Sequence, residues 1–249
     1  MAFLSAEAAF AALALPPSAP RLMLIGGGPR PAEALDRFVG WAGGEQSRIL
    51  VVTWASREPE ENFRAIAEDL RNSNAGEVVH APSPDSAGKD LAGLRRELDA
   101  ATAVFFSGGD QTRLMKAIAD LDVADFIRSR HAGGLPVGGT SAGTAVLSSL
   151  MIAGRNPVKT APGLGLLAGA VVDQHFLKRE RLARLAAVIE KQAGLVGIGI
   201  DEGSAVAIED GRRGEAIGPS PVTLIRRDPA SGAAAVTQVS PGLRFELLK

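Results

Sequence analysis

From Arg21 onward the chain alternates short, almost wholly apolar runs with longer stretches of helical periodicity, and this restricts the fold more than any other feature. The apolar runs fall at 22–25, 49–53, 78–79, 103–106, 136–137, 171–172 and 196–200. A strand buried on both faces reads as a continuous apolar run, whereas a strand with one wet face alternates. Helical patterns start near Pro31 and span 59–71 and 91–100. Strands of this kind joined through helices predict an α/β fold, with a doubly wound, mostly parallel sheet covered on both faces. Toward the C-terminus the pattern changes. Residues 205–208, a turn at Asp210-Gly211, then 222–225 and 234–239 predict antiparallel additions. Residues 83–88 and 229–232 read as surface loops.

At 249 residues and 46% hydrophobic, the chain can bury one sizeable core. No repeat, low-complexity tract or linker divides it, so 1–249 is expected to be a single α/β domain, with 1–20 as an N-terminal extension. The apolar stretch 6–15 lacks a basic leader and contains Glu7. It predicts an amphipathic helix ending before Pro16-Pro17 rather than a secretory signal. A formal net charge of -1 gives no general attraction to nucleic acid or to an anionic membrane. No apolar run approaches the roughly 18 residues of a membrane span. The absence of cysteine excludes disulfides and a thiol nucleophile, and agrees with a cytoplasmic setting. Three dispersed histidines and no His-Glu-x-x-His pattern predict neither metal nor cofactor.

Open α/β sheets gather chemistry at the carboxyl ends of their strands. Four polar or glycine-rich stretches fall there: 26–28, 108–111, 138–144 and 201–203. In Gly138-Gly139-Thr140-Ser141-Ala142-Gly143-Thr144, small residues flank Ser141 between an apolar run and a helical pattern over 145–151. That is the Gly-x-Ser-x-Gly signature of a strained strand-to-helix turn that exposes a serine. The plainer reading is a glycine-rich turn with Ser141 or Thr144 capping the helix. Among the histidines, His80 ends a weak strand, and His131 occupies a solvated helix end. His175, in Asp173-Gln174-His175-Phe176, stands at a strand's carboxyl end, as a base would. Asp201-Glu202-Gly203-Ser204 ends another strand and offers an acid to orient imidazole. Adjacent strand residues point to opposite faces, so one of Asp201 and Glu202 faces the histidine and the other caps a turn or binds elsewhere. The order serine, histidine, acid differs from that of α/β-hydrolases.

Gly138 to Thr144, Gly108-Gly109-Asp110-Gln111, Asp173-Gln174-His175-Phe176 and Gly199-Ile200-Asp201-Glu202 occur in the order found in cyanophycinases and the related aspartyl dipeptidases called peptidase E. The chain resembles that family from about Leu22 to Ile225. The resemblance implies a class I glutamine-amidotransferase-like fold, a homodimer, and a triad of Ser141, His175 and Glu202. It implies backbone oxyanion donors near Gly109 and Ala142. It also implies a substrate site lined by Gln111, Asp173, Gln174, Arg179, Arg181 and Arg184. The arginines have a plainer reading, as solvated charges beside an apolar face of Leu182, Leu185 and Ile189, with Glu180 pairing with Arg184. One departure is the link between Met151 and Ala161, which is short for a cyanophycinase and bears on the fit of a long polymer.

The chemistry implied is acyl transfer to water, with cyanophycin or a small β-aspartyl (isoaspartyl) peptide as substrate and partner. The alternatives are an α-aspartyl dipeptidase of the peptidase E type and a non-catalytic relative that only binds a ligand. Glutamine amidotransfer would require a cysteine in the elbow. A phosphate-binding loop at Gly26-Gly27-Gly28 is a poor match, because Pro29 and Pro31 replace the spacing of Gly-x-Gly-x-x-Gly.

Overall fold

The computed structural model describes residues 19–155 and 158–247. The amphipathic helix expected over 6–15, and nearly all of the expected extension 1–20, lie outside the described residues. In chain order the first half comprises β1 (Arg21–Ile25), α1 (Ala32–Ala42), β2 (Arg48–Val52), α2 (Pro59–Asn72), β3 (Glu77–His80), α3 (Pro84–Lys89), α4 (Leu91–Ala100), β4 (Ala103–Phe106), α5 (Gln111–Asp120), α6 (Ala124–Ala132), β5 (Val137–Thr140) and α7 (Ala142–Ala145). The second half adds β6 (Leu150–Arg155), β7 (Val158–Pro162), β8 (Ala170–Gln174), α8 (Leu182–Lys191), β9 (Val196–Ile200), β10 (Ala205–Glu209), β11 (Arg213–Ile217), β12 (Val222–Arg227), β13 (Ala234–Val239) and β14 (Arg244–Glu246).

The main sheet runs β14-β11-β10-β1-β5-β4-β2-β3. From β1 to β3 every pairing is parallel, and β10, β11 and β14 add on antiparallel. The apolar strands are sided, as a doubly wound sheet requires. Met23, Ile25, Ile49, Val51 and Phe105 pack on α1 and α2. Leu22, Leu24, Leu50, Val52 and Phe106 pack on α4, α5 and α6. All four residues of β4 are fully buried, and Val104, Phe105 and Phe106 each contribute about 1.5–3 kcal/mol by leaving water.

Four expectations need correction. The runs 171–172 and 196–200 do not extend the main sheet. As β8 and β9 they form a second sheet, β13-β12-β9-β8, whose outer face is closed by α8 through Leu185 and Ile189. The helix expected over 145–151 stops after one turn. The buried Ser148 hydroxyl donates to the carbonyls of Ala145 and Leu150, and Leu150–Arg155 pairs with Val158–Pro162 as a hairpin; a local hydroxyl competes with the helix ladder. Residues 83–88 are mostly helix, because Ser83 caps α3 and Pro84 starts it. His131 is not solvated. It is 4% exposed, its Nδ1–H donates to Leu135 O, and burial lowers its pKa. Among the described residues no helix is long and apolar enough to cross a membrane.

Candidate active site

Ser141 follows β5 with φ +53°, a left-handed conformation rare for a residue with a side chain. The surrounding sequence holds it there. Its N–H donates to Ile25 O at 3.0 Å. The buried Thr144 hydroxyl accepts from Ile25 N–H at 3.0 Å, and its own hydrogen lies between Gly139 O at 2.5 Å and Ile25 O at 2.8 Å. A Cβ on Gly139 would fall 2.5 Å from the Gly143 carbonyl, so the first glycine of the motif is there for close approach. The Ser141 hydroxyl is not a helix cap: Ser141 makes no side-chain capping bond. Its Oγ instead lies 2.7 Å from His175 Nε2.

His175 follows β8 and Glu202 follows β9, so both come from the second sheet, while Ser141 comes from the main sheet. Glu202 Oε1 lies 2.6 Å from His175 Nδ1. An ionised carboxylate can only accept, so Nδ1 carries the hydrogen and Nε2 turns its lone pair to the serine. Asp201 is resolved as the capping partner, its Oδ1 accepting Lys178 N–H at 2.9 Å. The imidazole pKa lies below its ordinary value. Burial is the largest cause, and the Arg179 and Arg181 charges add to it against the opposing bond and charge of Glu202.

Beside Ser141 opens a cavity of about 250 Å³. Gly109, Gln111, Gln174, Arg179, Arg181 and Arg184 line it, together with residues 152–154 of the hairpin. Ala142 is the first residue of α7, where a backbone N–H has no acceptor within its own helix. Gln111 Nε2 donates to Ile152 O at 2.6 Å, tying α5 to the hairpin. Asp110 N-caps α5 through the N–H groups of Thr112 and Arg113. The Thr112 hydroxyl and those two N–H bonds hold its pKa below the usual carboxylate value.

The arginines are not a solvated row. Arg181 is 6% exposed, and its Nη1 donates to Gln174 O at 2.5 Å, to Gln174 Oε1, and to Asp173 Oδ1 at 3.2 Å. Arg184 grips Asp173 bidentately, with Nε at 2.6 Å from Oδ2 and Nη2 on Oδ1, in place of the expected pairing with Glu180. Arg179 is exposed at the cavity mouth, and Leu182, expected on the apolar face, is 46% exposed. Asp173, expected to line the site, lies behind it at 1% exposure, fully engaged by the two arginines.

In the sequence, the segment between Met151 and Ala161 reads as bearing on the fit of substrate, but not as a hairpin with residues 152–154 walling the cavity. Sequence reasoning also gave residues 26–28 no place beside His175 and Glu202, although their glycine run was visible. A larger cavity, about 570 Å³, opens near the ends of β2 and β3. Its hydroxyl–imidazole pair, Thr53 Oγ1 and His80 Nε2 at 2.7 Å, is unsuited to attack, since Thr53 is 1% exposed.

Residues 22–215 match the model of peptidase family S51. The cyanophycinase of Trichormus variabilis is 35% identical over 202 residues, covering 78% of this chain and 68% of that protein. The cyanophycinase of Synechococcus elongatus is 35% identical over 216 residues, 82% of this chain and 67% of its own. Among solved structures, a peptidase from an acI-B1 Actinobacterium superposes with a TM-score of 0.71 at 20% identity, covering 92% of this chain and 97% of its own. A putative peptidase E protein from Listeria monocytogenes EGD-e gives 0.62 at 16% identity, covering 81% and 100%. At these identities the structural likeness speaks to the fold.

Proposed function

Because this chain belongs to peptidase family S51 and is a serine-type peptidase, we propose that it hydrolyses β-aspartyl (isoaspartyl) peptide bonds with Ser141 as nucleophile, His175 as base and Glu202 as the group that orients the base. The observation that carries the reading is the unbroken line from Ser141 Oγ to His175 at 2.7 Å and on to Glu202 at 2.6 Å, opening into a cavity lined by arginines.

Ser141 Oγ attacks the scissile carbonyl as its proton passes to Nε2, and Glu202 stabilises the imidazolium that forms. The oxyanion is met by backbone N–H groups of Ala142 and Gly109; one such donor is typically worth about 3–4 kcal/mol in the transition state. His175 then protonates the departing amine, and water, activated by the same imidazole, releases the acyl group from Ser141.

Substrate preference follows from the cavity's charge. A β-aspartyl residue presents a free α-carboxylate beside the scissile amide, and a guanidinium can bind that carboxylate with two parallel hydrogen bonds. We assign that contact to Arg179, which is exposed at the cavity while Arg181 and Arg184 are bonded to Asp173. The hairpin and its short link favour a compact substrate, so β-aspartyl dipeptides are expected to be cleaved as well as cyanophycin. A product screen by mass spectrometry with β-Asp-Arg, β-Asp-Leu, the matching α-Asp dipeptides and cyanophycin tests this. Cleavage confined to β-linked substrates is expected; equal rates on α- and β-linked dipeptides would refute the preference, and cleavage of α-linked dipeptides alone would make the enzyme an α-aspartyl dipeptidase.

A further inference from the structure

Gly26-Gly27-Gly28, unsuited to phosphate by its prolines, lies at the triad. It joins the end of β1 in the main sheet to the ends of β8 and β9 in the second. His175 N–H donates to Gly26 O at 2.8 Å, Gly26 N–H to Ser204 O at 2.9 Å, and Gly203 N–H to Gly27 O at 3.0 Å. Gly27 has φ +113°, and a Cβ built on it would lie 2.5 Å from Nε2 and 3.0 Å from Nδ1 of His175. Carbon and nitrogen do not approach so closely without a bond; the optimum is about 3.5–4.0 Å. A Cβ on Gly28 would lie 3.1 Å from Cβ of Glu202. The Gly27 backbone therefore lies against the imidazole along its length, with no room for a methyl group.

The hydrogen bonds to Ser141 and Glu202 hold the two ring nitrogens, and the bond to Cβ still lets the ring shift by joint rotation about χ1 and χ2. A surface against the face of the ring limits that shift. We propose that Gly27 is a positioning residue for His175: its bare backbone is the wall that sets the imidazole's tilt, and Gly26 and Gly28 seat that wall against the second sheet. The proposal rests on the reading of Ser141 and His175 as the reacting pair, and extends it to a residue that touches neither substrate nor the transferred proton.

The test compares Gly27→Ala with Gly43→Ala. Gly43, which ends α1, has φ +111°, and a Cβ there would meet nothing closer than 3.8 Å. Both positions have φ near +110°, where alanine is strained; only one substitution collides with the ring. Gly43→Ala should retain wild-type kcat. Gly27→Ala should lower kcat by on the order of 100-fold with KM little changed, as a displacement of about 1 Å in a reacting group does. Labelling of Ser141 by a fluorophosphonate should slow in parallel. The acidic limb of the kcat profile should move to lower pH, because the weakened bond to Glu202 is one that raises the ring's proton affinity. A second measurement needs no substrate. In a His175→Ala background, Gly27→Ala should cost no more thermal stability than Gly43→Ala, whereas with the ring present it should cost more or prevent folding. Equal kcat in the two alanine variants, or additive stability costs in the cycle, would overturn the proposal. Because the cycle ignores turnover, its failure is distinct from failure of the β-aspartyl reading.

Discussion

Asp173 separates two roles that a sequence motif cannot distinguish. Its carboxylate is 1% exposed and holds Arg181 and Arg184, themselves 6% and 16% exposed at their side chains. Asp173→Asn keeps the shape and removes the charge, leaving two guanidinium groups side by side with no anion between them. Removing one partner of a buried ion pair costs roughly 3–5 kcal/mol, and the residual exposure of Arg184 screens its share, so about 3–4 kcal/mol is expected here. For a domain of this size each kcal/mol moves Tm by about 2–4 °C, which places the expected drop at roughly 6–16 °C. Differential scanning fluorimetry measures it, with kinetics on a β-aspartyl dipeptide alongside. KM should rise as well, because Arg184 loses both of its bonds to the Asp173 carboxylate and Arg181 one of its bonds, and both arginines line the cavity. A Tm within about 2 °C of wild type, together with a raised KM, would show that Asp173 touches substrate directly and would refute the scaffold role.

Three further outcomes follow from the site. Ser141→Ala should abolish turnover with the far-UV spectrum and substrate binding retained, and mass spectrometry should find a serine-directed acylating inhibitor on Ser141 and not on the buried Ser148 or Ser204. Glu202→Gln should lower kcat severely through loss of tautomer control, and Asp201→Asn far less, since Asp201 caps a turn; steady-state rates decide, and a reversed order would reassign the acid. The pH dependence has a definite sign. The base must be neutral, and burial lowers the His175 pKa, so kcat/KM should hold below the ordinary histidine value of about 6.5 and fall only as pH drops through the lowered value. His131 is depressed in the same sense, so the unfolded chain binds more protons than the native one below about pH 6.5, and Tm should decline there as pH falls.

Where burial on both faces dictates composition, the sequence was legible. Residues 103–106 and 196–200 are strands at the limits read from their apolar runs, and 91–100 is a helix at both ends. Which sheet a strand joins was not legible, because the runs 171–172 and 196–200 are apolar in the same way as those of β1 and β2, and an apolar run does not name its partner strand. β11 was missed because Arg213-Gly214-Glu215 is half polar, and β14 because it is a short edge. The helical reading of 145–151 failed because a hydroxyl at Ser148 and the pairing of β6 with β7 override local periodicity. At the site, the elbow, the histidine and the acid were readable as residue types at strand ends. The choice between Asp201 and Glu202 depends on side chains that meet 27 residues apart, and the burial of Arg181 and the location of Asp173 behind the cavity depend on bonds made across the turn from β8 into α8, which spacing does not encode.

The path of the chain also orders the birth of the active site. β1 pairs with β10, so Leu22 waits for Ile208 before the main sheet closes at that edge. Glu202 sits in the link between β9 of one sheet and β10 of the other, and it reaches His175 only when both have formed. Contacts of such sequence separation form late, because the entropy of closing the loop is lost before the contact rewards it. On the ribosome, Ser141, the proposed nucleophile, is therefore made well before Glu202, the proposed orienter of its base. Until Glu202 has been synthesised a growing chain lacks the proposed third member of the site, and in refolding the return of activity should trail the return of secondary structure.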